Sequence, residues 1–113
     1  MRRGEVHLAS FPFGGRIGAK VRPVLLLTGP VGPVPEVVVA YITSVMPAVA
    51  MASDITLDPK NPDHATTNLR TISVVRLHKL ATIHQSDLVR YLGRISAITQ
   101  TQIDTILRAL LNL

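Results

Sequence analysis

The chain has 113 residues, which is enough for one domain with a single core, and we expect residues 1–113 to form that domain. Its 47% hydrophobic and 17% charged residues exclude intrinsic disorder, and the absence of cysteine excludes disulfides, thiolate chemistry and cysteine-based zinc sites. Twelve Lys and Arg against seven Asp and Glu give a formal charge of +5, which favours a polyanionic partner, either nucleic acid or an acidic protein.

The first half of the chain predicts short strands joined by glycine- and proline-rich turns. Residues 5–11 (EVHLASF) predict a half-exposed strand, and residues 11–20 (FPFGGRIGAK) predict a basic loop. That loop could close over a bound phosphate chain or be a plain connection. In residues 20–28 (KVRPVLLLT) we expect Pro23 to start a strand, with Arg22 at its mouth and the apolar run behind it buried on both faces.

Further short strands follow a turn at residues 29–35. Residues 37–42 predict a buried strand that ends in two hydroxyls, Thr43 and Ser44. After an irregular stretch come a short strand at residues 55–57 and a surface loop at residues 58–68.

The last third predicts a strand at residues 69–76 and then a change of period. Leu88, Val89 and Leu92 suit a short helix from about Gln85, ended by Gly93. Ser96 is a good N-cap for a final amphipathic helix. Its apolar stripe is expected to pack on the core, and a groove beside it could accept an amphipathic segment of a partner. Together these elements predict a mainly β fold, a small antiparallel sheet or barrel packed by a C-terminal helix.

The residues able to do chemistry are few. The four histidines have no metal-ligand spacing, and no P-loop or GxGxxG is present, so we expect neither a metal nor a cofactor. No apolar run is long enough to cross a bilayer, and the first residues, MRRGEVH, are polar where a signal peptide would be apolar. We therefore expect a cytoplasmic protein with no membrane contact.

A set of polar groups at strand ends remains, and it comprises Arg22, Thr43, Ser44, Arg76 and His78. These are suitable residue types for metal-free cleavage of RNA by its own 2′-hydroxyl. That reaction needs a base, an acid for the leaving 5′-oxygen and donors to the phosphorane oxygens. Histidine titrates near neutral pH, and arginine supplies charge-assisted donors.

Five blocks of sequence in order resemble the MazF/PemK toxin family: GEV at 4–6, KxRPVLLL at 20–27, ITS at 42–44, LRTISVVRLHKLATI at 69–83 and LGRIS at 92–96. The resemblance implies a conical SH3-like barrel closed by a C-terminal helix. It also implies a homodimeric, sequence-specific endoribonuclease that cleaves single-stranded RNA or mRNA and so inhibits translation and growth. A cognate acidic antitoxin would block it, and the two together could form a complex with DNA.

The resemblance also implies roles for individual residues. Arg22 matches the arginine implicated in transition-state stabilisation, Thr43 and Ser44 match the family's pair at the cleavage site, and Arg76 matches an arginine assigned acid or phosphate-stabilising work. His78 departs from the pattern, because it stands where members generally carry an aspartate, the proposed general base. A histidine could serve as base there, or the acid–base pair could be lost.

Weaker expectations concern RNA contacts and rival functions. Arg16 and Lys20 are expected to hold phosphates by charge, and His64 to make a minor RNA contact. His7 replaces an aromatic residue common early in the family's first strand. The alternatives are a catalytically impaired member that still binds RNA or antitoxin, and a gyrase-targeting toxin on the same barrel, which the basic rim disfavours.

Overall fold

A single antiparallel sheet dominates the computed structural model, which describes residues 1–11 and 20–113. Its strands are β1 (Glu5–Phe11), β2 (Lys20–Leu26), β3 (Glu36–Thr43), β4 (Asp54–Leu57), β5 (Ser73–His84) and β6 (Leu88–Arg94). One α-helix, α1 (Ala97–Leu111), and two 3-10 helices, Pro62–Thr67 and Gln85–Asp87, complete the described elements. The sheet order is β4-β5-β3-β2-β1-β6, so the predicted mainly β fold with a C-terminal helix is confirmed. The predicted loop at residues 11–20 lies almost wholly outside the described residues.

The sheet is not closed by strand pairing within the described residues. Its edge strands β4 and β6 remain separate, and the chain from the first 3-10 helix fills the space beside β6. The Thr66 hydroxyl donates to the carbonyl of Arg94 at 2.8 Å, and the Asn68 amide donates to that of Leu92 at 2.7 Å. Loop side chains therefore occupy the place where a closed barrel would have a further strand ladder.

Two apolar clusters lie among the buried residues. The larger includes Val6, Leu25, Leu77 and Ile103, and half-buried side chains of α1 pack against it. The smaller includes Val24, Leu26, Val39 and Ile83. Val24, Leu25 and Leu26 are fully buried but belong to different clusters, as predicted for a strand covered on both faces.

Helix α1 fulfils only part of its predicted packing. The Ser96 hydroxyl accepts from the backbone N–H of Thr99, so the predicted N-cap is confirmed. Ile103 is fully buried, whereas Leu110 and Leu111 are exposed. The stripe therefore packs on the core only over the first part of the helix.

Pro23 does not start its strand, contrary to the prediction. It is the fourth residue of β2 and pairs with Leu8 of β1. The pairing of β2 with β3 begins only at Val24. A proline without an N–H is tolerated here because this half of β2 is hydrogen-bonded on one side, like an edge strand.

The predicted helix from Gln85 to Gly93 is wrong. After a single 3-10 turn the chain continues as strand β6, which pairs with β1. A Cβ added at Gly93 would come 2.1 Å from the carbonyl oxygen of Thr66. The glycine thus marks a close approach of two backbones and not a helix end.

Strand β5 begins at Ser73, four residues after the start of the predicted strand at residues 69–76, and it continues to His84 with a bulge. Ala40 pairs with Leu80, but the next residue of β3, Tyr41, pairs with Arg76. Residues 77–79 therefore have no partner on β3. The bulge lies next to the arginine that the sequence marked for chemistry, and bulges bend strands and redirect side chains.

Candidate functional site

The first feature of the site is a cleft of about 510 Å³ at the ends of β2 and β3, here called the Arg76 cleft. Its lining residues are Arg22, Pro23, Val24, Tyr41, Ile42, Thr43, Val45, Met46, Pro47, Ala48, Arg76 and Lys79. Of these described lining residues, three are cations and none is acidic. Two guanidinium groups and an ammonium group in one cleft form a site suited to a phosphate.

Thr43 is held at the rim of the Arg76 cleft by its own loop. Its Oγ1 accepts a hydrogen bond from the backbone N–H of Val45 at 3.1 Å. A hydroxyl that accepts one bond keeps its O–H able to donate, so Thr43 can offer a neutral donor beside the cations.

Arg76 is oriented by Asp54, which lies directly opposite it on β4. Arg76 Nε donates to Oδ1 at 3.0 Å and Nη2 donates to Oδ2 at 3.4 Å. The Met51 N–H also donates to Oδ2, at 3.1 Å. The Asp54 side chain is 7% exposed and that of Arg76 is 18% exposed, so this is a largely enclosed, two-pronged ion pair.

The charges around Asp54 favour its ionised form. Burial raises the pKa of the carboxyl group, but the hydrogen bonds from Arg76 and Met51 and the charges of Arg76 and His78 outweigh that effect. The pKa of Asp54 therefore lies below its usual value of 3.8. The carboxylate stays charged at neutral pH and holds Arg76 in place.

His78 belongs to the same group of side chains but lies behind it. Its Nδ1 is 2.7 Å from Ser53 Oγ and 4.0 Å from Asp54 Oδ1. His78 is not among the residues that line the Arg76 cleft. The structure thus joins His78 to Arg76 through Asp54 and does not place it beside Arg22.

A second cleft, of about 550 Å³, lies on the other side of Arg22 and is here called the Arg90 cleft. Its lining residues are Leu8, Arg22, Pro23, Ile42, Ser44, Asn68, Leu69, Arg70, Thr71, Ser73, Arg90, Tyr91 and Leu92. Ser44 lines this cleft, whereas Thr43 lines the Arg76 cleft, because successive side chains of an extended chain point in opposite directions. The two hydroxyls expected to act as a pair are therefore divided between two clefts.

The three residues expected to contact RNA are spread more widely. Arg16 lies outside the described residues. Lys20 is exposed at the first residue of β2. His64 is half-buried in the first 3-10 helix, with Nδ1 3.4 Å from Thr99 Oγ1 at the start of α1.

His7 forms a buried polar contact near the Arg90 cleft. Its Nε2 is 2.8 Å from Glu5 Oε1, and its ring packs edge-on against Tyr91 with centroids 5.4 Å apart. Burial raises the pKa of Glu5, but the His7 hydrogen bond, a backbone hydrogen bond from Arg2 and nearby positive charge bring it below its usual value of 4.5. The His7 ring thus packs against Tyr91 and also keeps its contact with the Glu5 carboxylate.

Sequence reasoning missed four charged residues of the site: Asp54, Arg70, Lys79 and Arg90. The sequence around Asp54 does not indicate a functional role, because its partner Arg76 is 22 residues away and only the β4–β5 register brings the two together. Arg90 falls within the predicted helix at residues 85–93, and only its true place on β6 puts it in the wall of a cleft. Within the described part of the chain, no group of three or more His, Asp or Glu side chains is placed to hold a metal ion, and no helix is long and apolar enough to cross a bilayer.

Comparison with known proteins gives one family and several solved structures. The family model described as "PemK-like, MazF-like toxin of type II toxin-antitoxin system" matches residues 2–111. The Mycobacterium tuberculosis toxin MazF-mt6 is 26% identical, with a TM-score of 0.71 over 96% of this chain and 97% of that one. A mycobacterial endoribonuclease, solved in complex with its cognate antitoxin, is 21% identical, with a TM-score of 0.70 over 100% and 96% of the two chains. No curated protein matches the chain.

Proposed function

The chain belongs to the PemK-like, MazF-like toxins of type II toxin–antitoxin systems, and from this premise we propose that it is a sequence-specific, metal-independent endoribonuclease. Its substrate would be single-stranded RNA, including mRNA, so that cleavage inhibits translation and growth. The observation that carries the proposal is the Arg76 cleft, where Arg22, Arg76 and the hydroxyl of Thr43 converge.

The proposed chemistry uses the 2′-hydroxyl of the RNA as nucleophile. The 2′-oxygen forms a bond to phosphorus, the bond from phosphorus to the 5′-oxygen breaks, and the 5′-oxygen gains a proton. The products are a 2′,3′-cyclic phosphate and a 5′-hydroxyl. Arg22 and Arg76 would donate to the non-bridging oxygens as charge develops there, and Thr43 would position the scissile phosphate.

In this proposal His78 removes the proton from the 2′-hydroxyl. The contact between His78 Nδ1 and Ser53 Oγ orients the ring, and the direction of this hydrogen bond determines the tautomer of the imidazole. If Nδ1–H donates to Ser53 Oγ, Nε2 keeps its lone pair and can act as the base. The ring lies behind Arg76 and Asp54. Proton transfer therefore requires either that the ring act across these two side chains or that the RNA extend to the ring.

The deciding experiment incubates purified protein with a mixed-sequence RNA in the presence of a chelator. Cleavage with cyclic-phosphate ends by wild type, and its loss in Arg22→Ala, is the expected result. No cleavage at any protein-to-RNA ratio that excludes contamination would overturn the proposal.

The position of His78 favours one rival, a member that binds RNA or antitoxin without cleaving. The ring lies outside the lining of the Arg76 cleft and contacts the buried Ser53. Equal RNA turnover by wild type and Arg22→Ala, with wild type still retarding RNA in a gel, would establish this rival.

We also propose a cytoplasmic homodimer that is blocked by an acidic antitoxin, with a DNA complex formed through that antitoxin. The formal charge of +5 supports an acidic partner. Exposed apolar side chains on the loop after β3, among them Val45, Val49 and Met51, support a contact between two copies. Light scattering across a dilution series tests the dimer.

A further inference from the structure

The Arg90 cleft lies between β6 and the segment that precedes β5. Its walls are β6 on one side and residues 68–71 on the other, and its floor includes Ile42 and Leu69, which are buried. Arg90, Leu8 and Pro23 form one cross-strand row, because Arg90 pairs with Leu8 and Leu8 pairs with Pro23. Residues in such a row share one face of a sheet. The position of Arg90 over this floor therefore follows from strand register.

Three arginines surround this floor, one from each of three separate parts of the chain. Arg22 comes from β2, Arg70 from the segment before β5, and Arg90 from β6. No Asp or Glu is among the cleft's described lining residues. Among the described residues, no salt bridge involves Arg70 or Arg90. Within the described part of the chain, Arg70 and Arg90 thus bring positive charge to the cleft without a carboxylate partner of their own.

We propose that the Arg90 cleft binds the stretch of single-stranded RNA adjoining the scissile phosphate, with Arg70 and Arg90 contacting backbone phosphate. Arg22 lines both clefts, so a polynucleotide that leaves the Arg76 cleft past Arg22 enters the Arg90 cleft without a break. The inference rests on the proposed function for the identity of the substrate.

The chemistry of the cleft suits a nucleotide better than an acidic peptide. An apolar floor and the half-exposed ring of Tyr91 offer a surface on which an unpaired base can stack, while the arginines meet the phosphate. An acidic peptide would use the cations but leave the floor and the ring uncovered. RNA accounts for both parts of the lining.

Binding is tested separately from cleavage with a mixed-sequence 2′-O-methyl RNA, which has no free 2′-hydroxyl to attack. Fluorescence anisotropy is measured between 50 and 200 mM salt. A plot of log K against the logarithm of the salt concentration has a negative slope, and each lost phosphate contact makes it shallower by about 0.7 for a single strand. Arg70→Ala/Arg90→Ala should therefore make the slope shallower by about 1.4. We expect affinity to fall by about tenfold, and Arg70→Lys/Arg90→Lys to recover most of the slope.

The matched control removes the same two charges elsewhere, with Lys60→Ala/Arg108→Ala. Both control residues are exposed, on the loop after β4 and on α1. Arg70→Glu/Arg90→Glu serves as a second variant, and circular dichroism checks that each variant is folded. Equal losses in the cleft variants and the control would overturn the inference, because net charge alone would then explain them. Unchanged RNA binding, with loss of binding to a poly-glutamate peptide, would overturn it in favour of a protein partner.

The two proposals fail in different ways. If wild type binds the methylated RNA through Arg70 and Arg90 but cleaves no unmodified RNA, the proposed function is wrong and the cleft remains an RNA site. If wild type cleaves RNA and the cleft variants bind like the control, the cleft inference is wrong and the function stands.

Discussion

Asp54 and Arg76 face each other directly across β4 and β5, with two side-chain hydrogen bonds between carboxylate and guanidinium. The same carboxylate accepts the N–H of Met51 and lies 4.0 Å from the ring of His78. One aspartate therefore connects the loop after β3, a cation of the Arg76 cleft and the histidine behind it.

Replacing this carboxylate should weaken the fold in a pH-dependent way. Because the pKa of Asp54 is lowered on folding, the unfolded chain binds more protons than the folded one as the pH falls below about 4. The stabilisation is thus complete above the usual value of 3.8 and is lost below it. We expect Asp54→Asn to cost about 2 kcal/mol at pH 7. Urea unfolding from pH 7 to 3 should show the two stability curves converging at acid pH, and parallel curves would contradict the assignment.

Asp54→Asn should also reduce RNA cleavage through Arg76. Without its fixed partner, Arg76 can adopt other rotamers, so we expect the rate of cleavage to fall about tenfold. Arg76→Ala should cost more, and the double variant should be no worse than Arg76→Ala alone. Additive losses would mean that Asp54 acts independently of Arg76.

Arg22→Ala should abolish most cleavage. Removing one donor to a developing anion costs about 10²–10³-fold in rate, and Arg22→Lys should recover only part because it lacks the planar fork. Gel assays in chelator measure the rate, and Arg108→Ala, an exposed change on α1, serves as control. A loss of RNA affinity at an unchanged single-turnover rate would assign Arg22 to binding alone.

His78 is tested by replacing it with alanine and with aspartate, the residue that the family resemblance implies at this position. If His78 is the base, His78→Ala should lose most activity and His78→Asp should retain some. The acid limb of the rate profile should also move to lower pH, because a carboxylate is a weaker base than an imidazole. Identical pH profiles for wild type and His78→Ala would exclude His78 from proton transfer.

Gly93→Ala should destabilise the domain although it adds a single methyl group. The new Cβ would meet the Thr66 carbonyl oxygen at 2.1 Å, so β6 and the first 3-10 helix must separate. We expect a loss of about 1–3 kcal/mol in thermal or urea unfolding. Gly32→Ala serves as the comparison for backbone strain without a clash. Gly32 has a left-handed φ of +83°, and the atom nearest to an added Cβ would be 3.8 Å away.

Local patterns predicted the parts of the fold whose causes are local. The apolar run from Val24 to Leu27 predicted a strand buried on both faces, and the structure shows this for Val24 to Leu26; Ser96 predicted the start of α1. The spacing of Leu88, Val89 and Leu92 misled, because a strand and a single helical turn share such spacing and only pairing with β1 decides between them. The positions at strand ends supplied Arg22, Thr43 and Arg76 as candidates, and the resemblance to a family supplied a role for each of them.

The rest of the site depends on register between distant strands. Nothing near Asp54 in the sequence identifies its partner, and nothing near Thr43 and Ser44 shows that they enter different clefts. Arg70 and Arg90 converge because the segment that leads to β5 runs beside β6, held there by the hydrogen bond from Asn68 to the Leu92 carbonyl. Such facts come from the way whole strands align, which short-range patterns do not encode.

The bulge in β5 has a consequence for how this site can change in evolution. Residues 77–79 lie opposite the step from Ala40 to Tyr41 in β3 and pair with neither residue. The pairing on either side of the bulge is therefore made by Arg76 and Leu80. A substitution at position 78 leaves both ladders intact. The side chain at this position can therefore change while the pairing of β5 stays in register, and the cost of the change is confined to the contacts with Ser53 and Asp54.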